Sequence, residues 1–178
     1  MTNLSNSREI STTTDSGKET DRKVLGSLLI TTGSLPPSHI WLISPWLTDF
    51  DFVNDASLPF RSLGWDTPII RFSDVLIELA NSGWVINLVL RSAPENEPIL
   101  TTIKNAINSR ESVQILRREP VHKKGLLLPG VLIKGSMNFT YSGFEKSDEE
   151  FELETDLEKL SSFRLEAIRD YEEFLESI

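Results

Sequence analysis

Four segments of the chain carry apolar residues at the three- and four-residue spacing of a helix, namely residues 21–33, 72–83, 98–107 and 157–176. Gly33 and Gly83 are placed to end the first two, because glycine readily adopts the backbone conformation that closes a helix. Pro98 is suited to the first turn of the third, where its missing N–H costs nothing. The pattern therefore predicts four helices, each of which buries one face.

Short apolar runs rich in β-branched and aromatic residues predict strands over residues 39–47, 84–90, 112–116, 122–128, 131–136 and 149–155. Pro129-Gly130 is predicted to form a turn between two of them. The first three runs alternate with helices, which favours parallel pairing, and the last three follow one another closely. The sequence predicts an α/β fold with a mixed sheet flanked by helices.

Two segments fit neither pattern. Residues 1–21 are dominated by Ser, Thr, Asn and charged residues, so we expect a disordered tail, followed by one domain over residues 22–178. Residues 48–70 contain many turn-forming residues and are predicted to form a long loop. A loop of this length in a small domain is usually functional, so it is a candidate docking surface for a partner.

Composition excludes several classes of site. The chain has 178 residues, no cysteine and two histidines, His39 and His122. The absence of cysteine excludes disulfides, thiolate zinc sites and cysteine nucleophiles. Two histidines make a multi-histidine metal site improbable in one chain, so we expect neither metal nor cofactor.

The net charge of −9 lies entirely in residues 145–178, where 13 acidic residues face 4 basic ones. Residues 100–134 instead hold seven basic residues against two acidic ones, around His122. Such a belt either grips a phosphate backbone or forms an ordinary mixed-charge surface. No apolar run is long enough for a membrane span or a targeting segment, so the sequence predicts a soluble, cytoplasmic protein.

Polar residues with a common chemistry cluster between positions 122 and 149. In the predicted strands, His122 and Lys124 share a face with a row of leucines and are aimed toward the interior. Glu149 shares the apolar face of the last strand, whereas Glu150, Glu152 and Glu154 are predicted to face solvent. Ser136 and Asn138 follow the middle strand. Lysine, amide and hydroxyl groups bind phosphate oxygens, and an imidazole is a competent nucleophile at phosphorus. From these residues alone, a core histidine beside a surface lysine remains the alternative.

The spacing of these residues resembles the signature of the phospholipase D superfamily, H-x-K-x4-D-x6-G-S-x-N-F-T. This chain has His122-x-Lys124, then GSMNFT over residues 135–140, and Glu149 eleven residues beyond Asn138. The run WLISPWLTDF at residues 41–50 also resembles the first strand region of bacterial members. The similarity covers residues 22–178.

The resemblance implies a phospholipase D-like fold and a role for each of these residues. His122 would be the nucleophile that forms a phosphohistidine, or its partner general acid. Lys124, Ser136 and Asn138 would bind phosphate, and Glu149 would orient the imidazole. The superfamily needs no metal ion.

The chain departs from the pattern in two ways. Pro129 stands where the motif has aspartate, and the spacing to Gly135 is one residue short. A complete site also uses two H-x-K motifs, whereas this chain has one, since His39 is followed by Ile-Trp. We therefore expect a homodimer in which a two-fold axis brings two copies of His122 together.

The resemblance favours a phosphodiester in DNA as substrate. The chain is most similar to small members of bacterial DNA-modification and antiphage defence clusters, among them the phospholipase D-like member of deazaguanine (Dpd) systems. Such proteins work beside helicases or other translocases, which are therefore expected partners. Two alternatives remain: a degenerate subunit that only binds phosphate or DNA, in which Pro129 marks a lost activity, and a lipid headgroup phosphodiesterase.

Overall fold

The structure, a computed structural model, describes residues 7–11, 15–54, 69–145 and 150–178. The helices are α1 (Asp15–Gly33), α2 (Phe72–Asn81), α3 (Glu97–Ala106), α4 (Tyr141–Glu145) and α5 (Leu157–Tyr171). The strands are β1 (Ser7–Ser11), β2 (His39–Ser44), β3 (Asp51–Asn54), β4 (Ile69–Arg71), β5 (Val85–Leu90), β6 (Val113–Arg117), β7 (Gly125–Leu128), β8 (Val131–Gly135), β9 (Glu150–Glu154) and β10 (Glu176–Ser177).

The described strands form one large sheet and a separate hairpin. The large sheet has eight strands in the order β1-β9-β8-β7-β2-β5-β6-β10, and β3 pairs with β4. β2, β5 and β6 are parallel, and the remaining pairs are antiparallel. This confirms the predicted α/β class with a mixed sheet.

Side chains alternate between two cores along the central strands. In β2, Ile40 and Leu42 point into the larger core, which α1, α2 and α3 share. Trp41 and Ile43 point to the other face, where Leu160, Phe163 and Ala167 of α5 cover the sheet. Because β2 is buried on both faces, its sequence is an unbroken apolar run rather than an alternation.

The chain termini differ from the prediction. Within the predicted tail 1–21, residues Ser7–Ser11 form β1, which pairs antiparallel with β9, and α1 begins at Asp15. Residues Glu176–Ser177, predicted to lie in the last helix, form β10 beside β6. Both are edge strands, and their backbone groups gain hydrogen bonds from a neighbour that local composition does not reveal. Residues 1–6 and 12–14 lie outside the described residues.

The predicted loop 48–70 contains ordered structure at both ends. Asp51–Asn54 and Ile69–Arg71 pair as an antiparallel hairpin, while residues 55–68 lie outside the described residues. The turn predicted at Pro129-Gly130 is confirmed between Leu128 and Val131, and Gly130 has a φ of +76°, which glycine adopts without strain.

Candidate active site

One edge of the sheet collects most of the candidate residues. β2, β5, β6 and β8 run in the same direction, so their carboxyl ends meet there, and β7 and β9 start there. Gly125 of β7 pairs with Lys134 of β8, and Gly135 pairs with Phe151 of β9. The ladder between β7 and β8 ends there, and beyond it Lys124, Gly135 and Met137 line one shallow pocket.

His122 lies in front of β7 rather than within it. The pairing between β2 and β7 stops at Ile43 and Gly125, because β2 itself ends at Ser44. The segment 121–124 therefore has no ladder partner, and His122 is exposed instead of facing the interior as predicted. No hydrogen bond to its imidazole comes from the described part of the chain. The ring is accordingly open to a substrate or to a second copy of the chain.

Lys123 and Lys124 point to opposite faces, as the parity of the segment predicts. Lys124 is partly exposed, and its Nζ donates to the carbonyl oxygen of His122 at 3.2 Å. It lines a shallow pocket together with Ile133, Met137 and Phe139, among other residues. Lys123 turns to α5, where its Nζ lies 2.8 Å from Glu166 and 4.3 Å from the centroid of the Phe163 ring. Of the two lysines, only Lys124 is directed to the candidate site.

Asn138 contributes a buried amide beside this pocket. Its Oδ1 atom is buried and has no hydrogen-bond partner within the described residues. A buried acceptor without a partner is costly, so its retention is typical of a ligand site. Turning the amide over would present the Nδ2 donor at the same place, which suits a phosphate oxygen. Ser136, the other predicted phosphate ligand, is exposed at the end of β8.

The segment after Asn138 is fastened to the end of β2. The Phe139 N–H donates to Ser44 Oγ at 3.3 Å, and the Thr48 N–H donates to the Phe139 carbonyl at 3.1 Å. A parallel bridge joins Leu47 to Phe139. The position of Asn138 thus depends on residues 44–48.

Asn96 is a site residue that sequence reasoning missed. It is 1% exposed, and its Oδ1 accepts from the Leu47 N–H at 2.8 Å. Its Nδ2 donates to the carbonyls of Pro45, at 3.2 Å, and Arg91, at 2.8 Å. One side chain thereby joins the loops after β2 and β5. An asparagine in a short polar stretch before a helix carries no signal that would have distinguished it.

The acidic residues of β9 correct one prediction and leave another untested. Glu149 lies outside the described residues, so its orienting role stays a prediction. Glu154, predicted to face solvent, has an exposure of 0% because that side of the strand is covered. Its Oε2 lies 2.6 Å from Lys159 Nζ, and its Oε1 accepts from the Asp156 N–H at 3.0 Å. These bonds hold the pKa of Glu154 below its usual range.

Pro129 lies at the opposite end of the hairpin from the candidate site. β7 has four residues, so Lys124 and Pro129 are separated by about 16 Å at the usual rise of a strand. A side chain at position 129 therefore does not reach a phosphate held by Lys124. The replacement of the motif aspartate by Pro129 therefore affects the turn between β7 and β8 and not the side chains that would contact substrate.

Two kinds of feature are absent from the described ranges, a cluster of metal-ligating side chains and a membrane-spanning helix. No group of three or more His, Asp or Glu side chains is arranged there to hold a metal ion. No helix in those ranges has the length and apolar character needed to cross a membrane.

The order of the strands and the placement of the helices define a phospholipase D-like fold. Nuc from Salmonella typhimurium, described as a phospholipase D family member, is similar over 97% of both chains, with a TM-score of 0.61 and 14% identity. NucT from Helicobacter pylori is similar over 97% of this chain and 98% of its own, with a TM-score of 0.59 and 12% identity.

A third similar structure belongs to a much larger protein. The polyphosphate kinase of Porphyromonas gingivalis matches 92% of this chain but 23% of its own, with a TM-score of 0.59 and 16% identity. The sequence matches no protein-family model and no curated protein. At these identities the comparisons establish the fold alone.

Proposed function

We propose that this protein is a metal-independent phosphodiesterase that cleaves DNA in the cytoplasm through His122. The observation that carries the proposal is that Lys124 lines one pocket with Gly135 and Met137, at the sheet edge where the exposed His122 precedes β7. An exposed imidazole, a lysine and an amide with a buried, unpartnered oxygen suit a phosphate group. The fold shared with a phospholipase D family member supports the same chemistry.

The reaction proceeds in two displacements. An imidazole nitrogen of His122 attacks phosphorus, the bond to the leaving oxygen breaks, and that oxygen takes a proton from a general acid. Water then attacks the phosphohistidine, gives its proton to the same group, and releases the phosphate. Lys124 and Asn138 balance the charge on the non-bridging oxygens, and Glu149 orients the imidazole.

The general acid is the His122 of a second copy. The chain supplies one H-x-K motif, and its other histidine, His39, begins β2 at the opposite edge of the sheet. A two-fold axis beside the exposed His122 brings two such rings to one phosphate. We therefore propose a homodimer with one site shared between its subunits.

DNA is favoured over a lipid headgroup because the C-terminal segment 145–178 carries the entire net negative charge and would repel anionic lipid surfaces. The resemblance to small proteins of defence clusters, including Dpd systems, supports a role in antiphage restriction beside a translocase. A degenerate, phosphate-binding subunit is the second candidate. This candidate is motivated by Pro129, which stands where the motif has aspartate. The distance of about 16 Å between Pro129 and Lys124 argues against it, because a side chain at position 129 does not contact a phosphate bound by Lys124.

Plasmid cleavage in the presence of EDTA tests the proposal. We expect the purified protein to nick or linearise plasmid, and His122→Ala and Lys124→Ala to abolish the reaction. His39→Ala is the matched control, because it removes the chain's other histidine, which is also exposed. If His122→Ala cleaves as fast as the parent protein, the proposed mechanism is wrong, and if no version cleaves any phosphodiester, the binding subunit replaces it.

Subunit mixing tests the shared site. Wild-type and His122→Ala chains are dissociated, combined in equal amounts and allowed to reassociate. If each reaction needs two copies of His122, the activity per total dimer falls to about a quarter of the wild-type value, whereas it falls to about half for independent sites. Sedimentation gives the oligomeric state, and a fully active monomer would contradict the proposal.

A further inference from the structure

A groove lies at the same sheet edge, on the face that α5 covers. It has a volume of about 470 Å³ and is lined by Arg118, Pro120, Asp170, Tyr171 and Phe174. One wall of the groove is the segment after β6, which begins with Arg118. The other wall is the end of α5 and the turn 172–174, which connects α5 to β10. The volume lies in the range of small-ligand sites.

Aromatic surface is presented inside this groove. Phe174 is 57% exposed and lines the groove beside Tyr171, so apolar ring surface is open to solvent there. The guanidinium of Arg118 lies 5.9 Å from the centroid of the Tyr171 ring. An arginine beside exposed aromatic rings is the combination on which proteins stack the bases of single-stranded nucleic acids.

Arg118 differs from the cations around it. Arg117 binds Glu97 at 3.1 Å, Lys123 binds Glu166 at 2.8 Å, and Arg91 lies 3.1 Å from Glu119. Arg118 instead donates to the backbone carbonyl of Asp170 at 3.3 Å, and it is near enough to the Asp170 carboxylate to help lower the pKa of that group. Among the described residues no carboxylate lies within ion-pair distance of Arg118, which is exposed and has further N–H groups that can bind a phosphate.

Asp170, the one acidic side chain among the described residues that line the groove, is already bound by an arginine. Asp170 accepts from Arg169 Nε at 2.7 Å and from its Nη2 at 3.1 Å. The groove thus offers an arginine without an ion pair among the described residues, apolar ring surface and a carboxylate that is bound by Arg169. This suits a base with its flanking phosphate better than an anionic headgroup or a basic peptide.

We propose that this groove is a subsite for an unpaired nucleotide of the strand whose phosphodiester is cleaved at His122, with Arg118 on a flanking phosphate and Phe174 against the base. The proposal rests on the proposed function for the position of the strand. His122 follows Arg118 by four positions, so their Cα atoms are at most about 14 Å apart. An unstacked strand crosses that distance within a few nucleotides. The subsite therefore makes single-stranded DNA the preferred substrate.

Binding measured without cleavage tests the subsite. The probe is a short fluorescein-labelled DNA strand, alone and in a duplex, titrated with His122→Ala protein while anisotropy is recorded. Adding Phe174→Ala is expected to weaken binding of the single strand about tenfold and to leave the duplex unaffected, because only an unpaired base can stack on the ring. Leu165→Ala removes an equally exposed apolar residue from α5, 66% exposed, and serves as the matched control.

Arg118→Gln provides a second, independent readout. Removing one phosphate contact is expected to make the slope of log Kd against log salt concentration shallower by about 0.7 for the single strand. Phe174→Ala should leave that slope unchanged, because stacking releases no counterions. The two variants thereby separate the base contact from the phosphate contact.

The proposal is overturned if Phe174→Ala and Leu165→Ala bind the single strand equally well, if the parent His122→Ala protein does not bind it, or if the duplex is weakened as much as the single strand. It is also overturned if Phe174→Ala converts a dimer to a monomer, since a second copy then occupies the groove. If the protein does not cleave plasmid but Phe174→Ala still weakens binding of the single strand, the proposed function is refuted and the subsite is not.

Discussion

Replacing Asn96 by alanine removes a side chain that makes three hydrogen bonds between the loops after β2 and β5. Its partners are the Leu47 N–H and the carbonyls of Pro45 and Arg91. The bonds to Leu47 and Pro45 are buried, whereas the bond to Arg91 is partly accessible. Water can therefore replace the third bond but not the first two.

The expected cost follows from these two buried groups. A buried donor or acceptor left without a partner costs about 1–3 kcal/mol, so we expect the free energy of unfolding to fall by roughly 3 kcal/mol. The loop 44–48 also holds Phe139 in place through Ser44 and Thr48. Loosening it should move Asn138, and turnover should fall more than substrate affinity.

Urea unfolding followed by tryptophan fluorescence measures the loss. Asn105→Ala, in the exposed part of α3, is the matched control and should change stability by less than about 0.5 kcal/mol. Asn96→Asp keeps the acceptor for the Leu47 N–H but sets a carboxylate beside two carbonyls, so it should not restore stability. If Asn96→Ala unfolds within about 0.5 kcal/mol of the parent, the network does not hold these loops and the reasoning is wrong.

Two further predictions concern the ends of the hairpin and its neighbour β9. Pro129→Asp should neither create nor markedly increase cleavage, because position 129 lies about 16 Å from Lys124. A plasmid cleavage assay measures this. If the substitution turned an inactive protein into a nuclease, the natural site would be degenerate. Glu154→Gln should make the free energy of unfolding depend less on pH in the acidic range. The pKa of Glu154 is lowered in the folded protein, so its contribution is present above the ordinary glutamate pKa and lost as pH falls through the folded value. Urea midpoints from neutral to acidic pH measure this, with the exposed Glu158→Gln as control, and parallel curves for parent and Glu154→Gln would contradict it.

The central part of the fold was predictable because its residues are constrained on every side. β2 and β5 are apolar on both faces, and α2 and α3 carry apolar stripes that fit one core. The edge strands were not predictable. Ser7–Ser11 and Glu176–Ser177 are polar and short, and they form strands because β9 and β6 offer unpaired backbone groups at the sheet edges.

The candidate site was predictable as a list of residues but not as an arrangement. His122 and Lys124 were identified from the motif spacing. The predicted burial of His122 was wrong, because the end of β2 determines where β7 starts and leaves His122 in front of the strand. Glu154 was placed in solvent because strand parity does not say which face a later helix will cover. Asn96 was missed because its three partners are backbone groups, which leave no trace in the sequence.

The basic belt of residues 100–134 has a different meaning once its ion pairs are known. Arg117, Lys123 and Lys134 bind carboxylates of Glu97, Glu166 and Glu152, all of which lie outside that stretch of sequence. Lys104 lies on α3, and Arg110 lies just before β6 starts, so both are directed away from the candidate site. Of the seven basic residues, Arg118 and Lys124 remain to meet phosphate at the site edge.

This small number of available cations sets the salt dependence of DNA binding. Each phosphate neutralised on a single strand contributes about −0.7 to the slope of log affinity against log salt concentration, so two cations from each of two subunits give about −3. If all seven basic residues of each subunit met phosphate, the slope would be about −10. Anisotropy titrations of His122→Ala protein at several salt concentrations decide between them. A slope near −10 would mean that the ion pairs open on binding, and that the pairing in the free protein does not limit its electrostatic recognition of DNA.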